Sequence, residues 1–213
     1  MTADIYFISG IDTGIGKTYT TGYLAKLWSE QGQQVITQKL IQTGNVDVSE
    51  DIQQHREIMG TGWLPEDESK LTMPEIFSYP ASPHLATKLD GRDIDFDKIE
   101  AATQQLAEKF EVVLLEGAGG LMVPLTTELL TIDYLEQKKF PVILVSSGRL
   151  GSINHTLLSL EALKARGLSL YALAYNLNDE SQDPLISKDT SEYLKDYLAK
   201  HFPDALWIDI PVM

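Results

Sequence analysis

Six short apolar runs alternate with longer helical patterns along the whole chain. Most of these runs are continuously apolar, which is typical of parallel strands buried on both faces. Strand–helix alternation of this kind predicts an α/β fold, in which helices flank both faces of a parallel sheet. We expect the strands at Ile5–Ser9, Val35–Leu40, Val112–Glu116, Val142–Ser146, Leu170–Asn176 and Trp207–Ile210.

The segments between the strands predict helices. We expect them at Lys17–Gln31, Glu50–Ile58, Phe96–Phe110, Glu128–Lys138, Ile153–Arg166 and Lys188–Lys200. Residues 60–84 carry the glycines and prolines of irregular structure, and the acidic run Glu66-Asp67-Glu68 within them predicts a solvated surface. No repeat or linker divides the chain, so we expect a single domain over residues 1–213.

The acidic balance of the chain excludes several classes of partner. The formal net charge is −14, whereas nucleic acids and anionic membranes attract basic surfaces. The absence of cysteine excludes disulfides, thiolate metal sites and a thiol nucleophile. The N-terminal segment has no basic region, and no apolar run approaches the roughly 18–20 residues that span a membrane. We therefore expect a cytoplasmic protein with neither a nucleic-acid nor a membrane partner.

The segment GIDTGIGKT, residues 10–18, follows the first predicted strand. Backbone N–H groups of such a glycine-rich loop wrap a phosphate, and the helix that follows points the positive end of its dipole at the same anion. In this interpretation Lys17 reaches the β- and γ-phosphates of a nucleotide and Thr18 ligates Mg²⁺. Five residues separate Gly10 from Gly16, where the standard motif has four. We predict a P-loop of the NTPase type.

A second interpretation takes the three glycines of this segment as the G-x-x-x-G-x-G turn of short-chain dehydrogenases. Tyr134 and Lys138 even have the Y-x-x-x-K spacing of that family's catalytic pair. However, this interpretation leaves Lys17 and Thr18 without a role, and the second strand ends near Lys39 instead of in an acid that could bind a ribose. It predicts binding of a nicotinamide dinucleotide, which a binding assay can test.

The apolar run Val112–Leu115 ends in Glu116. An acid at the carboxyl end of a strand beside a P-loop is the Walker B arrangement, in which a carboxylate lies near Mg²⁺. Gly117–Gly120 follows with three glycines, so the backbone there can pass close to a bulky ligand. The P-loop and this acid together predict a site for a magnesium nucleotide.

Five segments together form a more specific pattern. They are Gly10–Thr18, KLIQTG at Lys39–Gly44, SPH at Ser82–His84, EGAGG at Glu116–Gly120 with Pro124-Leu125, and GSINH at Gly151–His155. In order and spacing, from residue 5 to about 178, the chain resembles the dethiobiotin synthetase family of P-loop proteins. The longer gap within the P-loop is usual in that family.

The resemblance implies an ATP-dependent ligase that closes a ring. One amine of 7,8-diaminopelargonic acid takes up CO₂ to give a carbamate, which ATP phosphorylates to a carbamic–phosphoric anhydride. The second amine then attacks, and the products are dethiobiotin, ADP and phosphate. This is the penultimate step of biotin biosynthesis, and ATP and Mg²⁺ are the implied cofactors.

The resemblance also implies which residues carry catalysis. Lys39, Lys17 and Thr13 are the implied catalytic residues, because cations must neutralise a carbamate and a γ-phosphate that have to meet. The implied nucleotide-binding residues are Gly14, Ile15, Gly16, Lys17, Thr18, Tyr19, Asp51, Glu116, Gly117, Ala118, Gly119, Asn176, Leu177, Ile210, Pro211 and Val212. Among them, the amide of Asn176 would read the edge of adenine.

The implied metal ligands are Thr18, Asp51 and Glu116, which are hard oxygen ligands for a hard cation. Asp51 is preferred to Asp47 because Ser49-Glu50-Asp51 fits the family's acid before a short helix better. Waters and phosphate oxygens would complete the coordination shell.

The implied substrate site involves two copies of the chain. Its residues are Thr13, Lys39, Thr43, Gly151, Ser152, Ile153 and Asn154. The free N–H groups at the start of the helix after Gly151 suit a distal carboxylate of the substrate. In the family this loop comes from the neighbouring subunit, so a homodimer is implied. His84 and His155 are assigned no chemical step.

Base selectivity is a separate hypothesis. Family members usually continue well past the Ile-Pro that lines the nucleotide base, whereas this sequence ends soon after Ile210-Pro211. We hypothesise that the base is held loosely, so that CTP or GTP partly replaces ATP.

Two further nucleotide-dependent classes remain as alternatives. A partition ATPase of the septum-site kind carries a signature lysine five positions before the P-loop lysine, where this chain has Asp12. An amidoligase of corrin synthesis needs a glutaminase domain and its cysteine, for which this chain has neither the length nor the residue. ATP turnover that needs a small molecule, and not a protein or DNA partner, would favour the synthetase.

Overall fold

The apolar runs of the sequence form the strands of one six-stranded sheet in the computed structural model, which describes residues 3–179 and 183–212. In chain order the strands are β1 Asp4–Gly10, β2 Val35–Lys39, β3 Gln42–Thr43, β4 Ile76–Phe77, β5 Val112–Gly120, β6 Val142–Ser147, β7 Leu170–Asn176 and β8 Leu206–Ile210. The sheet has the order β2-β5-β1-β6-β7-β8, and all its neighbouring strands are parallel. The predicted parallel α/β fold is thus confirmed.

Helices connect these strands and cover both faces of the sheet. They are α1 Lys17–Glu30, α2 Glu50–Met59, α3 Pro65–Glu68, α4 Pro83–Asp90, α5 Phe96–Lys109, α6 Thr131–Lys138, α7 Ser152–Ala165 and α8 Pro184–His201. The prediction for α6 began at Glu128, but Leu130 caps the helix and its N–H donates to the Asp133 carboxylate. Among the described residues, no helix is both long enough and apolar enough to cross a bilayer.

Successive residues of the central strands pack into opposite sides of the core. Phe7 and Leu115 belong to the apolar cluster on one face, whereas their chain neighbours Ile8 and Leu114 belong to the cluster on the other. All four side chains are fully buried. This is the burial on both faces that the continuously apolar runs predict.

The segment at residues 60–84 is more ordered than predicted. It contains α3, β4 and the first residues of α4, and β4 pairs in parallel with β3 as a separate two-stranded sheet. The expectation of a solvated acidic run was wrong for Asp67, which is fully buried. Its carboxylate accepts two hydrogen bonds from Arg56, at 2.8 and 2.9 Å, and burial of an acid is tolerated when it is paired in this way.

The strand order brings three loops to one edge of the sheet. β5 lies between β1 and β2, so the carboxyl ends of these three strands are adjacent. Ligands of open parallel sheets bind at this edge. The glycine segment after β1, Lys39 at the end of β2 and Glu116 within β5 therefore face a common space.

Candidate active site

The glycine loop lies between the end of β1 and the start of α1. Gly14 and Gly16 have φ angles of 72° and 95°, a left-handed conformation that favours glycine. A Cβ atom on Gly16 would lie 2.3 Å from Nδ2 of Asn176. That amide donates to the carbonyl oxygen of Ile15 at 2.9 Å, so the loop is tied to the end of β7.

Lys17 is the first residue of α1 and is largely buried. Its Nζ donates to the carbonyl oxygen of Asp12 at 3.2 Å. Burial, followed by the positive charge of Lys39, lowers the pKa of Lys17 to about 8 against the opposing effect of the nearby acids. Because the Lys17 ammonium donates to few protein groups, it can donate to an incoming phosphate.

Three oxygen-bearing side chains converge beside this lysine. The Thr18 hydroxyl lies 2.9 Å from Oδ1 of Asp51 and 3.1 Å from Oε1 of Glu116. A hydroxyl has one proton, so it can donate to only one of these carboxylates at a time. The arrangement gathers hard oxygen atoms from α1, α2 and β5 around one point, which is the donor set that Mg²⁺ prefers.

Lys39 provides the positive charge opposite these acids. It pairs in register with Glu116 on the neighbouring strand, and its Nζ lies 2.8 Å from Oε1 of Glu116 and 3.2 Å from the carbonyl oxygen of Gly117. Nζ also forms an ion pair with Asp51. Burial would lower the pKa of Lys39, but Glu116 and Asp51 outweigh this effect and raise it.

Glu116 is fully buried, and burial alone would raise its pKa. The charge of Lys39, followed by the hydrogen bond and charge of His55, outweighs burial and holds the pKa of this carboxyl well below its usual range. Glu116 is therefore ionised at neutral pH and is available as an anionic ligand.

These side chains line a cleft of about 380 Å³. The predicted residues that line it are Thr13, Gly14, Gly16, Lys17, Thr18, Tyr19, Lys39, Thr43, Asp51, Glu116, Ala118 and Gly119. A second cavity of about 430 Å³ shares Thr13, Thr43, Ala118 and Gly119 with the cleft. Pro80–Pro83 and Val123 complete its lining. The two cavities are adjacent, so they can hold two molecules that react.

The predicted base-binding residues lie at the side of the P-loop. Asn178 N–H donates to Oδ1 of Asn176, so both polar atoms of that amide have protein partners, although each retains capacity for another bond. The hydroxyl of Tyr19 donates to the carbonyl oxygen of Pro211 at 2.9 Å. This contact brings Pro211 close to the start of α1, and the same carbonyl oxygen also accepts from the Asn178 side chain in the turn Leu177–Asp179.

The predicted substrate residues 151–154 are not brought into this site. Gly151, Ser152, Ile153 and Asn154 line neither of the two cavities. They form the start of α7, where Asn154 is exposed and Ser152 is buried.

Sequence reasoning missed His55 and Arg56 on α2. His55 lies one turn after Asp51 and is fully buried, with Nε2 2.9 Å from Oε2 of Glu116. The D-x-x-x-H spacing was a usable signal, because residues four apart share one face of a helix. The His84 ring forms a local hydrogen bond, with Nδ1 3.0 Å from the Ser82 hydroxyl, and His155 is exposed.

The dehydrogenase interpretation does not agree with the positions of its two key residues. The Tyr134 ring is buried against Phe7 and Phe96, and burial raises the pKa of its hydroxyl. Lys138 forms an ion pair with Glu100 on α5. Neither residue lines the cleft, so the spacing match reflects core packing on α6.

The described residues contain no cluster of three or more His, Cys, Asp or Glu side chains that could hold a metal ion by themselves. The convergent set at the P-loop has two carboxylates and one hydroxyl. It therefore fits a cation that keeps water and phosphate oxygens in its coordination shell, which is the usual behaviour of Mg²⁺.

Comparison with known proteins gives consistent results. A family model described as "AAA domain" matches residues 4–199. The chain is 52% identical over 205 residues to ATP-dependent dethiobiotin synthetase BioD 2 of Pasteurella multocida, covering 96% of each chain. It is 48% identical over 211 residues to ATP-dependent dethiobiotin synthetase BioD of Chlorobaculum tepidum, covering 99% of this chain and 88% of that one.

Solved structures of signal recognition particle receptors share the fold. The chain aligns with FtsY from Elizabethkingia anophelis in complex with GDP at a TM-score of 0.54 and 18% identity, covering 97% of this chain and 56% of that one. Chloroplast FtsY from Physcomitrella patens gives a TM-score of 0.55 at 16% identity, with 97% and 57% covered. The chain thus spans little more than half the length of those receptors, and the likeness shows the fold alone.

Proposed function

The chain belongs to the ATP-dependent dethiobiotin synthetase family, and from that membership we propose that it makes dethiobiotin in biotin biosynthesis. It is a ligase that forms C–N bonds. We propose that its whole length acts as one catalytic domain, since the six-stranded sheet takes strands from Asp4 to Ile210. The cytoplasmic location expected from the sequence stays a prediction.

The observation that carries the proposal is the pair of lysines in one cleft. Lys17 and Lys39 both line the cleft at the carboxyl edge of the sheet, beside the second cavity. A carbamate and a γ-phosphate are both anions, and their reaction requires positive charge placed between and around them. Two buried cations, Lys17 at the start of α1 and Lys39 at the end of β2, supply that charge.

The reaction that we propose proceeds in three steps. An amine nitrogen of 7,8-diaminopelargonic acid attacks CO₂ and releases a proton, which leaves a carbamate. A carbamate oxygen attacks the γ-phosphorus of ATP, and the bond between this phosphorus and the bridging oxygen breaks, so that ADP departs. The second amine attacks the carbonyl carbon of the anhydride and releases phosphate and a proton. The ureido ring of dethiobiotin is then closed.

We propose a different role for each lysine. Lys17 stands at the N-terminus of α1 and would bridge the β- and γ-phosphates together with the backbone N–H groups of the loop. Lys39 would face the γ-phosphate and the carbamate. Its present bonds to Asp51 and Glu116 keep the ammonium charged and aimed into the cleft. Thr13 and Thr43 border both cavities and would offer hydroxyl groups to the diamine or the carbamate.

Thr18, Asp51 and Glu116 are the residues that we propose to hold Mg²⁺. When bound, this ion would neutralise charge on the β- and γ-phosphate oxygens. The three side chains come from three different elements, so their convergence depends on the fold and not on local sequence. Asn176, Ile210 and Pro211 are proposed to contact the nucleotide base.

We also propose that the protein works as a homodimer. Residues 151–154 do not line the cleft or its adjacent cavity, and large apolar side chains near them are exposed. Leu150 is 83% exposed and Leu158 on α7 is 63% exposed. A second copy packed on this face would cover them and could bring its own α7 N-terminus to the substrate carboxylate.

The decisive experiment supplies the purified protein with MgATP and bicarbonate and then adds 7,8-diaminopelargonic acid. Phosphate release is followed, and the product is identified by mass spectrometry. We expect phosphate that depends on the diamine and a product with the mass of dethiobiotin. ATP binding without any response to the diamine would reject the proposed substrate and leave only a P-loop ATPase.

A further inference from the structure

The two oxygens of the Glu116 carboxylate have different surroundings: one faces the cleft and the other faces the protein interior. Its Oε1 faces Thr18 and Lys39 in the cleft. Its Oε2 lies 2.9 Å from Nε2 of His55, which is fully buried. The terminal torsion of a glutamate is broad, so a carboxylate without a partner on its second oxygen can rotate. The histidine bond removes that freedom.

The other side of the histidine ring has a defined partner as well. Nδ1 lies 3.0 Å from the Thr37 hydroxyl oxygen, and Nη1 of Arg56 donates to the same oxygen at 2.9 Å. Arginine can only donate, so the threonine oxygen accepts from it and its own proton is free to go to Nδ1. Nδ1 then acts as the acceptor, and the ring proton is carried by Nε2, where it points at Glu116.

Arg56 is itself held in place. Its Nε and Nη2 donate to the two oxygens of Asp67, and Asp67 also accepts from the Thr72 hydroxyl at 2.7 Å. Paired parallel bonds between a guanidinium and a carboxylate fix both groups. The side chains of Asp67, Arg56, Thr37, His55 and Glu116 thus form one buried hydrogen-bonded chain that ends in the cleft.

We propose that His55 is a positioning residue for Glu116, with its tautomer set by Arg56 through Thr37. His55 donates from Nε2 to one carboxylate oxygen and keeps the other directed at Thr18 and Lys39. Groups that orient a ligating side chain from behind are common at metal sites. The kinetic consequence rests on the proposed function, whereas the hydrogen-bond geometry does not.

The first test needs no enzyme activity. The full chain is labelled with ¹⁵N in its four histidines, and the imidazole nitrogens are observed by NMR at one fixed pH, with His55→Gln used to assign His55. We expect a protonated Nε2 and an unprotonated Nδ1. Thr37→Val should weaken this preference, because only Glu116 would then favour the proton on Nε2, and Thr37→Ser should retain it because the hydroxyl remains. A proton on Nδ1 of His55 in the unmutated protein would overturn the proposal.

The second test is kinetic and separates orientation from packing. His55→Leu fills similar space without a donor, and we expect kcat to fall about 10- to 100-fold with a higher Mg²⁺ requirement. His55→Gln retains an N–H that can reach Glu116 and should recover most of kcat. Equal losses in both variants, or none in His55→Leu, would contradict the proposal.

Misfolding of a variant and failure of the proposed function can each be distinguished from failure of the His55 proposal. If His55→Leu does not fold, Thr37→Val against Thr37→Ser carries the kinetic comparison, and equal kcat values for these two would overturn the tautomer argument. If the unmutated protein makes no dethiobiotin, the proposed function fails, and the NMR result alone supports or rejects the role of His55.

Discussion

Lys39 and Glu116 are paired residues on adjacent strands, and burial removes nearly all of the water from both side chains. Their hydrogen bond of 2.8 Å compensates for that loss. A buried charge whose partner is removed is costly, whereas a buried pair as a whole contributes little net stability. Substitutions at this pair should therefore change folding and catalysis by different amounts.

Lys39→Ala should abolish turnover and leave nucleotide binding largely intact. It should also lower the free energy of unfolding by about 3–5 kcal/mol, because Glu116 would keep its charge without its main partner. Phosphate release, titration calorimetry with ATP and urea denaturation measure the three quantities. Lys39→Met combined with Glu116→Gln should recover stability but not turnover. Normal turnover in Lys39→Ala would remove this residue from the mechanism.

Glu116→Gln should raise the Mg²⁺ concentration needed for half-maximal turnover, because an amide oxygen is a weaker ligand than a carboxylate. The matched control is Glu75→Gln, which changes a buried acid that pairs with Arg92 and Lys98 outside the cleft. That variant should keep the Mg²⁺ titration of the unmutated protein. An unchanged titration in Glu116→Gln would argue against the ligand role.

Nucleotide binding should take up protons at pH values near and above 8. The pKa of Lys17 in the free protein is lowered to about 8 by burial and then by Lys39, so part of this lysine is neutral there. A bound triphosphate favours the ammonium and raises the pKa, so the complex holds more protons than the free protein. Calorimetry at one pH in buffers of different ionisation enthalpy measures this uptake.

The control for this prediction is Lys17→Arg, since a guanidinium remains protonated throughout this range. The arginine variant should bind nucleotide without the proton uptake that is assigned to Lys17. The same uptake in both proteins would mean that another group is the source.

At the scale of elements, α2 shows what sequence patterns can and cannot reveal. The strands, the P-loop and the acid at the end of β5 could be predicted because each is a local pattern of apolar runs and glycines. The contacts of α2 could not be predicted, because His55 and Arg56 bond to Thr37, Asp67 and Glu116, which lie 11 to 61 residues away in other elements. The two-residue strands β3 and β4 are likewise too short to show a period.

Asp67→Ala should be strongly destabilising, by about 3–5 kcal/mol, because Arg56 would remain buried with its charge uncompensated. The neighbouring Glu68 is exposed, and Glu68→Ala should change stability by no more than about 0.5 kcal/mol. Denaturation midpoints of the two variants give a direct comparison within one helix. Equal effects would mean that the ion pair with Arg56 does not anchor α2 to α3.

At the scale of the whole molecule, the proposed substrate site is divided between the cleft and the start of α7. The cleft and its adjacent cavity contain the predicted catalytic side chains, yet the start of α7 lies elsewhere. The family resemblance implies that GSINH acts in the site of the neighbouring subunit, and this stays a prediction; the residue pattern by itself indicates no partner chain. Such a contact between copies has no signature within one chain, because symmetry and not sequence separation decides it.

Mixing two defective variants tests the shared site. Asn154→Pro removes one N–H from the first turn of α7, where proline is tolerated, and should raise KM for the diamine, whereas Asn154→Ala keeps that N–H. At limiting diamine, a refolded equal mixture of Lys39→Ala and Asn154→Pro should regain about a quarter of normal activity, because half of the dimers are mixed and each has one intact site. Activity equal to the average of the two separate variants would contradict the shared site.

The strand order also has a consequence for synthesis on the ribosome. β1 is made first, but its neighbours in the sheet are β5 and β6, and β2 pairs with β5 alone. No pair of the main sheet can form until β5 has emerged, roughly 100 residues and about 5–20 seconds after β1 at ordinary translation rates. During that time β1, the apolar strand that precedes the P-loop, has no partner strand. The nascent chain should therefore bind chaperones until its middle third is complete.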